Sequence, residues 1–198
     1  MSSEDPFVPL LGFEEASARR AQFLASIPAS LLEQEDQLPK TLAHANASAQ
    51  AKLRRIYSLV DEFDEHRRGL VACGEGCSAC CRMNVQISNL EANRISQTIG
   101  RQPVALHVST FHSPSKFMGQ PCPFLVDDSC SIYATRPLAC RKHVSFHSTS
   151  EWCEPEHALK STVPGVGFSG LDQALFETSN RAGKAVFADI REFFPHLP

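Results

Sequence analysis

The feature that most constrains this chain is the stretch CGEGCSACC, which places four cysteines within residues 73–81. Its pattern is C-x3-C-x2-CC, and gaps of two and three residues let neighbouring thiolates converge on one metal ion when the chain turns tightly. Gly74 and Gly76 suit such a turn, because glycine adopts positive φ angles and permits close backbone approach. The stretch therefore predicts one part of a metal site.

The adjacent residues Cys80 and Cys81 limit how that metal can be bound. Successive side chains point to opposite faces of an extended segment and diverge by about 100° in a helix. The two thiols therefore do not naturally bind one ion. The simplest arrangement has two neighbouring metal centres, each served by one member of the pair. The alternatives are a strained joint ligation and a pair in which one thiol is not a ligand.

The candidate metal ligands are all eight cysteines: Cys73, Cys77, Cys80, Cys81, Cys122, Cys130, Cys140 and Cys153. Eight thiols make two sets of four, the number that a structural zinc ion or a cubane iron–sulfur cluster requires. Soft thiolate ligands select zinc, copper(I) or iron–sulfur. The sequence predicts zinc or an iron–sulfur cluster as cofactor and leaves the choice between them open.

Histidine could replace a thiol in such a site. Cys140 and His143 have a spacing found in metal sites, and His147 and His157 flank Cys153. The default for each histidine is an exposed or hydrogen-bonded side chain. His143 is the best of the three candidates.

Basic residues lie beside or near the cysteines. A four-thiolate site on zinc or on an oxidised 4Fe–4S cluster carries a total charge of about −2, which nearby N–H groups could offset. The alternative is that these side chains are solvated surface cations. The residues concerned are Arg82, Arg136, Arg141 and Lys142.

Hydrophobic periodicity predicts a mainly α-helical fold in which helices flank an irregular, metal-held, cysteine-rich centre. Apolar residues recur at helical spacing over residues 13–27 and 48–68. Ser88 and Glu91 form a capping-box pattern, which begins a third helix that ends before Gly100. A final helix is predicted over about residues 171–194. No internal repeat is apparent.

Two short extended pieces and a turn at 127–129 predict a small hairpin, and Pro137 suits the start of a short helix that carries Cys140. We divide the chain into an N-terminal helical segment (1–69), a cysteine-cluster metal-binding region (70–160) and a C-terminal helix (161–198) that packs on the same domain. Residues 70–82 and 120–153 contain few apolar residues, so metal binding is expected to be coupled to their folding.

Composition narrows the classes of function. Hydrophobic residues make up 42% of the 198 residues and the net charge is −3, which argues against a nucleic-acid binder. No run of 18 apolar residues predicts a membrane span, and the N-terminus does not resemble a signal peptide. We expect a cytoplasmic protein, in which cysteines serve as metal ligands or redox thiols rather than as disulfides.

The order of these motifs resembles that of the YkgJ-type cysteine-cluster proteins, a family described as zinc- or iron-chelating. The resemblance covers roughly residues 70–155, and further cysteines after the Cys-Arg dipeptide, such as Cys153, are common in the family. It implies that the seven cysteines from Cys73 to Cys140 are metal ligands and that Cys153 is the eighth. The matching motifs are Cys73-x3-Cys77-x2-Cys80-Cys81, Cys122-Pro123-Phe124-Leu125 and Cys130-x-Ile132-Tyr133-x2-Arg136-Pro137-x2-Cys140-Arg141.

A similar cluster occurs in flagellin lysine methylases, which look like iron–sulfur proteins that use S-adenosylmethionine. This chain is shorter and has no G-x-G-x-x-G stretch or recognisable methyl-donor site, so the methylase activity is not carried over. Three hypotheses remain: a metal-binding protein with cysteine-ligated zinc or iron–sulfur sites, a redox or radical-type enzyme or thiol oxidoreductase, and a disulfide-stapled secreted domain. The missing signal peptide disfavours the third. The sequence identifies no protein or redox partner.

Overall fold

The structure is a computed structural model that describes residues 12–158 and 165–196. It confirms the mainly α-helical class. The helices are α1 (Phe13–Ser26), α2 (Ala29–His44), α3 (Ala49–His66), α4 (Asn89–Ile99), α5 (Leu138–Lys142), α6 (Pro155–Ala158), α7 (Ser169–Arg181) and α8 (Ile190–Phe193). The strands are β1 (Gln86–Ser88), β2 (Leu125–Val126), β3 (Ser129–Cys130) and β4 (Phe187–Asp189). None of the described helices has the length and apolar character needed to cross a membrane.

The first hydrophobic core lies between α1, α2, α3 and α7. The helices predicted over 13–27 and 48–68 are confirmed as α1 and α3, and Ser48 caps α3 by accepting a hydrogen bond from the Ala51 N–H. The Phe63 and Phe168 rings lie 4.7 Å apart in this core. Helix α2 is not predicted from the sequence; it contains Pro39, a residue that normally interrupts a helical pattern.

Helices α2 and α7 approach each other closely at Gly170. A Cβ atom at this position would lie 2.1 Å from the Glu35 carbonyl oxygen, so a side chain cannot fit without separating the two helices. The Glu35 carboxylate also accepts the Leu171 N–H at 2.9 Å, which satisfies a free donor in the first turn of α7. This crossing fixes the C-terminal part of the first core.

The second hydrophobic core surrounds the antiparallel pair β1–β4 and includes α4 and α8. The capping box at Ser88 and Glu91 is confirmed, and α4 ends at Gly100, whose φ of 71° is left-handed. Glu91 is fully buried and also accepts hydrogen bonds from the Tyr57 hydroxyl at 3.0 Å and the Leu138 N–H at 2.8 Å. This carboxylate therefore links α3, α4 and the start of α5.

The prediction of a single terminal helix over residues 171–194 is wrong. Helix α7 ends at Arg181, Gly183 follows with a φ of 148°, and the chain then forms β4 and α8. A second capping box, between Asp189 and Glu192, starts α8 as a new helix. The apolar residues from 186 onward are buried as predicted, but in the second core rather than along one face of α7.

The two capping boxes belong to matching units that the sequence does not reveal. Residues 85–91 and 186–192 each form a strand that runs into a capped helix, and only their first and last residues are identical. Their contacts are reciprocal, because the Asn89 N–H donates to the Val186 carbonyl at 2.8 Å and the Ile190 N–H donates to the Val85 carbonyl at 2.9 Å. The two units therefore form a structural repeat, although their sequences show no obvious repeat.

The predicted hairpin is confirmed as β2–β3, with Leu125 paired to Cys130. Asp127 and Asp128 form its turn with φ angles of 47° and 54°, a conformation that aspartate tolerates in tight hairpin turns. The second strand lies just before the extended piece predicted over residues 131–133, and residues 133–135 form a 3₁₀ turn instead. The hairpin places Cys130 beside the second core.

Candidate metal centre

A cavity of about 670 Å³ lies between the two cores. Val71 and Val144 line it from the side of the first core, and Ile132 and Ile190 from the side of the second. Seven of the eight predicted ligand residues also line it: Cys73, Cys77, Cys80, Cys81, Cys122, Cys130 and Cys140. Fold and sequence motif thus bring together thiols that come from segments far apart in the chain.

The glycine-rich turn forms the first wall. The Cys77 N–H donates to the Gly74 carbonyl at 3.1 Å, and Gly76 adopts the positive φ of 89° that the turn requires. A 3₁₀ turn over Ala79–Arg82 then carries the vicinal cysteines. On the opposite side the Ser145 N–H donates to the Cys73 sulfur at 3.2 Å, an arrangement suited to a thiolate.

One group of cysteines packs against the second core. It comprises Cys81, Cys122, Cys130 and Cys140. The Cys122 N–H donates to the Cys81 carbonyl at 2.7 Å, which joins the two segments. Burial is the main cause of the raised pKa of the Cys122, Cys130 and Cys140 thiols, and the charge of Cys81 raises the pKa of each further. These four side chains are therefore mutual neighbours.

The remaining cysteines gather near the first core. Cys73 packs against that core, and Cys153 is buried nearby. Burial raises the pKa of Cys153 to about 11, and the charges of Cys73 and then Cys77 add to the effect. Cys153 does not line the cavity itself. It reaches the group through the 3₁₀ turn Ser150–Cys153, which lies against the turn of the vicinal cysteines.

The vicinal pair stands at the boundary between these groups. A hydrogen bond between the two thiols, followed by burial, raises the pKa of Cys80 strongly. The same bond lowers the pKa of Cys81 to about 7, and Arg191 and Arg82 lower it further against the effect of burial. The charges of Cys140 and Cys73 also raise the pKa of the Cys80 thiol. One neighbour from each group thus lies near Cys80.

The donor set fits a soft metal, since seven thiols line one cavity and the eighth, that of Cys153, lies near Cys73 and Cys77. Among residues 12–158 and 165–196, however, no three side chains of Cys, His, Asp or Glu lie close enough together to hold a single metal ion. Seven of the thiols instead line the walls of the cavity. This arrangement helps to distinguish a site for a single metal ion from a site for a cluster of several metal ions.

The predicted basic residues make no hydrogen bond to a cysteine sulfur in the described part of the chain. Arg141 binds Asp61 at 2.6 Å and the carbonyls of Arg136 and Ala134, and Lys142 pairs with Asp172. The remaining two also have carboxylate partners: Arg136 lies 3.7 Å from Asp64, and Arg82 lies 3.4 Å from Asp128. Both still influence the thiols through charge, because Arg136 lowers the pKa of Cys130 and Arg82 that of Cys81.

Arg191 is the basic residue that sequence reasoning missed. Its guanidinium pairs with the buried Asp189 at 3.0 Å and donates to the carbonyls of Gln120 at 2.5 Å, Pro121 at 3.1 Å and Cys81 at 3.3 Å. It therefore ties the backbone next to Cys122 to that of Cys81. No local sequence signal marks these contacts, because the carbonyls that it binds lie 70, 71 and 110 residues away in the chain.

The three histidine candidates separate clearly. His143 lines the cavity, and its Nε2 is buried with no hydrogen-bond partner among the described residues. Burial lowers its pKa and Arg67 lowers it further, which favours the neutral, metal-binding form. His147 instead stacks on Trp152, with ring centroids 5.0 Å apart, and the His157 ring is tilted against the same indole at 5.8 Å. Neither of these lines the cavity.

Fold and site together define a mainly α-helical protein with a cysteine-rich metal-binding centre. Residues 72–155 match the family model CxxCxxCC, described as "Putative zinc- or iron-chelating domain". The match agrees with the resemblance that the motifs of this segment carry, and it supports metal binding without deciding between zinc and iron. No curated protein and no solved structure matches the chain.

Proposed function

We propose that the protein binds two neighbouring iron–sulfur clusters of the four-iron type. The observation that carries this choice is the 670 Å³ cavity, around which the thiols stand without any three side chains in the described residues converging on one ion. A structural zinc site closes tightly, because all four sulfurs lie about 2.3 Å from one ion. The thiolates of a cubane cluster bind different irons and stand further apart.

The grouping of the cysteines supports two centres. Cys81, Cys122, Cys130 and Cys140 would hold the cluster beside the second core, since they pack there together. Cys73, Cys77, Cys80 and Cys153 would hold the other, since Cys153 neighbours Cys73 and Cys77 and Cys80 neighbours Cys73. The vicinal pair would then contribute one thiolate to each centre.

The protein surroundings suit buried negative charge. Each oxidised four-thiolate cluster carries about −2 in total. Arg82, Arg136 and Arg191 lower the pKa of thiols in the second group, so their positive charge stabilises thiolates there. When bound, such clusters supply one-electron transfer. The chain's own contribution is to hold the thiolates, shield them between two apolar cores and offset their charge.

The metal would also organise the chain. Much of the segment from residue 69 to residue 137 is irregular outside α4 and the hairpin, and it forms the walls of the cavity. We infer that the helical segments on either side, 1–69 and 161–198, pack with the region 70–160 as one domain. Metal binding would order the irregular part of region 70–160, because ligation holds segments in place that apolar burial does not.

Anaerobic purification tests the cluster proposal. The expected result is a brown protein with broad absorption near 400 nm that dithionite bleaches, and about eight iron and eight sulfide per chain, from two clusters of four. Colourless protein with about two zinc ions per chain would contradict it and support structural zinc instead. Metal-free protein with unchanged folding would refute metal binding altogether.

A further inference from the structure

Arg67 is a buried arginine whose hydrogen bonding is incomplete. It follows the last residue of α3, and only 6% of it is exposed. Its Nη2 donates to the Arg141 carbonyl at 2.8 Å and pairs with Asp64. Its Nη1 is also buried but meets no acceptor in the described part of the chain.

A buried guanidinium N–H without an acceptor is costly, about 1–3 kcal/mol or more for a charged group. Buried charged groups in native proteins are therefore almost always paired and hydrogen-bonded. Asp64 supplies only part of the compensation, because it also lies 3.7 Å from Arg136. The arrangement implies that the missing acceptor comes from something bound beside Arg67.

The surroundings of Arg67 indicate what that acceptor is. Arg67 lines the same cavity as Cys73, and its positive charge favours the Cys73 thiolate. The Cys73 sulfur already accepts one N–H, from Ser145 at 3.2 Å. Sulfur atoms of thiolates and clusters accept further N–H donors, and such bonds tune the metal site.

We propose that Arg67 donates its Nη1–H to a sulfur of the metal centre held by Cys73, and that it positions this centre and offsets its charge. This inference rests on the proposed function, in that it requires a metal centre at Cys73. It assigns Arg67 a role that the sequence motifs do not suggest, since Arg67 lies outside the matched residues 72–155.

Arg68 provides a matched control. It is the next residue and also borders the cavity, but its side chain is 76% exposed and pairs with Glu65 at 2.8 Å, so solvent screens its charge. The Arg68→Gln variant removes the same charge from nearly the same place in the sequence without touching a buried donor. The test variant is Arg67→Gln, which removes the buried charge. A third variant, Arg67→Lys, keeps the positive charge but loses the planar fork of donors.

The test measures, in anaerobically purified variants, the midpoint potential and the rate at which a chelator removes metal. Arg67→Gln should lower the equilibrium constant for cluster reduction about tenfold, or about 59 mV for one electron, because reduction adds negative charge to the centre. Metal removal should be about tenfold faster. Arg67→Lys should recover part of both changes, and Arg68→Gln should behave as the unmodified protein.

The outcomes separate the two proposals. If the protein binds zinc and shows no redox signal, the cluster proposal fails, but Arg67→Gln should still speed zinc release while Arg68→Gln does not. If metal is bound and Arg67→Gln matches Arg68→Gln in both measurements, the role of Arg67 is refuted and the proposed function stands. Protein that binds no metal refutes both.

Discussion

At the scale of single residues, Arg191 illustrates how a buried charge can organise a site through hydrogen bonds to its backbone. Its guanidinium donates to the Pro121 carbonyl, in the loop that ends at Cys122, and to the Cys81 carbonyl, in the turn of the vicinal cysteines. Asp189 neutralises it, and Asp189 also accepts the Val85 N–H at 2.7 Å. The pair therefore joins β4, the start of β1 and two cysteine segments.

We predict that Arg191→Met destabilises the protein by about 3–5 kcal/mol, because it leaves Asp189 buried without its counter-charge. Denaturant unfolding measures this directly. Arg181→Met is the matched control: Arg181 is half-exposed and lies 3.6 Å from Glu177, so its loss should cost less than 1 kcal/mol. Equal effects of the two substitutions would show that the Arg191 network does not stabilise the fold.

At the scale of secondary-structure elements, the sequence predicts the ends of a helix correctly where residues close in the chain determine them. The α4 helix follows from its capping box and its C-terminal glycine, and both features are observed. The end of α7 could not be predicted in the same way, because the strand that replaces the helix pairs with β1 about a hundred residues earlier. Sequence periodicity identified the buried residues there but not the core that they join.

The crossing of α2 and α7 gives the second prediction. Gly170→Ala should destabilise the protein by about 1–3 kcal/mol or more, since the added methyl group would press on the α2 backbone and force the helices apart. Gly167→Ala is the control, because a Cβ atom there meets no atom within 4 Å. Thermal unfolding of both variants measures the difference. A Gly170→Ala variant as stable as Gly167→Ala would contradict the close approach of the helices.

At the scale of the whole molecule, the candidate site was only partly predictable. The cysteine motifs identify the thiols, and their side-chain directions suggest two centres at the Cys80–Cys81 pair. The grouping of the other six depends on the two cores, which bring Cys122, Cys130 and Cys140 to one wall and Cys73 to the other. The carbonyl contacts of Arg191 and Arg67 carry no sequence signal, because the fold brings together residues that lie 110 and 74 positions apart in the chain.

The central claim is that the eight cysteines form two separate centres, and iron and sulfide analysis of single-cysteine variants tests it most directly. Cys122→Ser removes a ligand beside the second core, and Cys77→Ser removes one from the other group. Each variant, purified anaerobically, should retain about four iron per chain instead of about eight, and the double variant should retain none. If Cys122→Ser and Cys77→Ser each leave the iron content unchanged, or each remove all of it, the two-centre account is wrong.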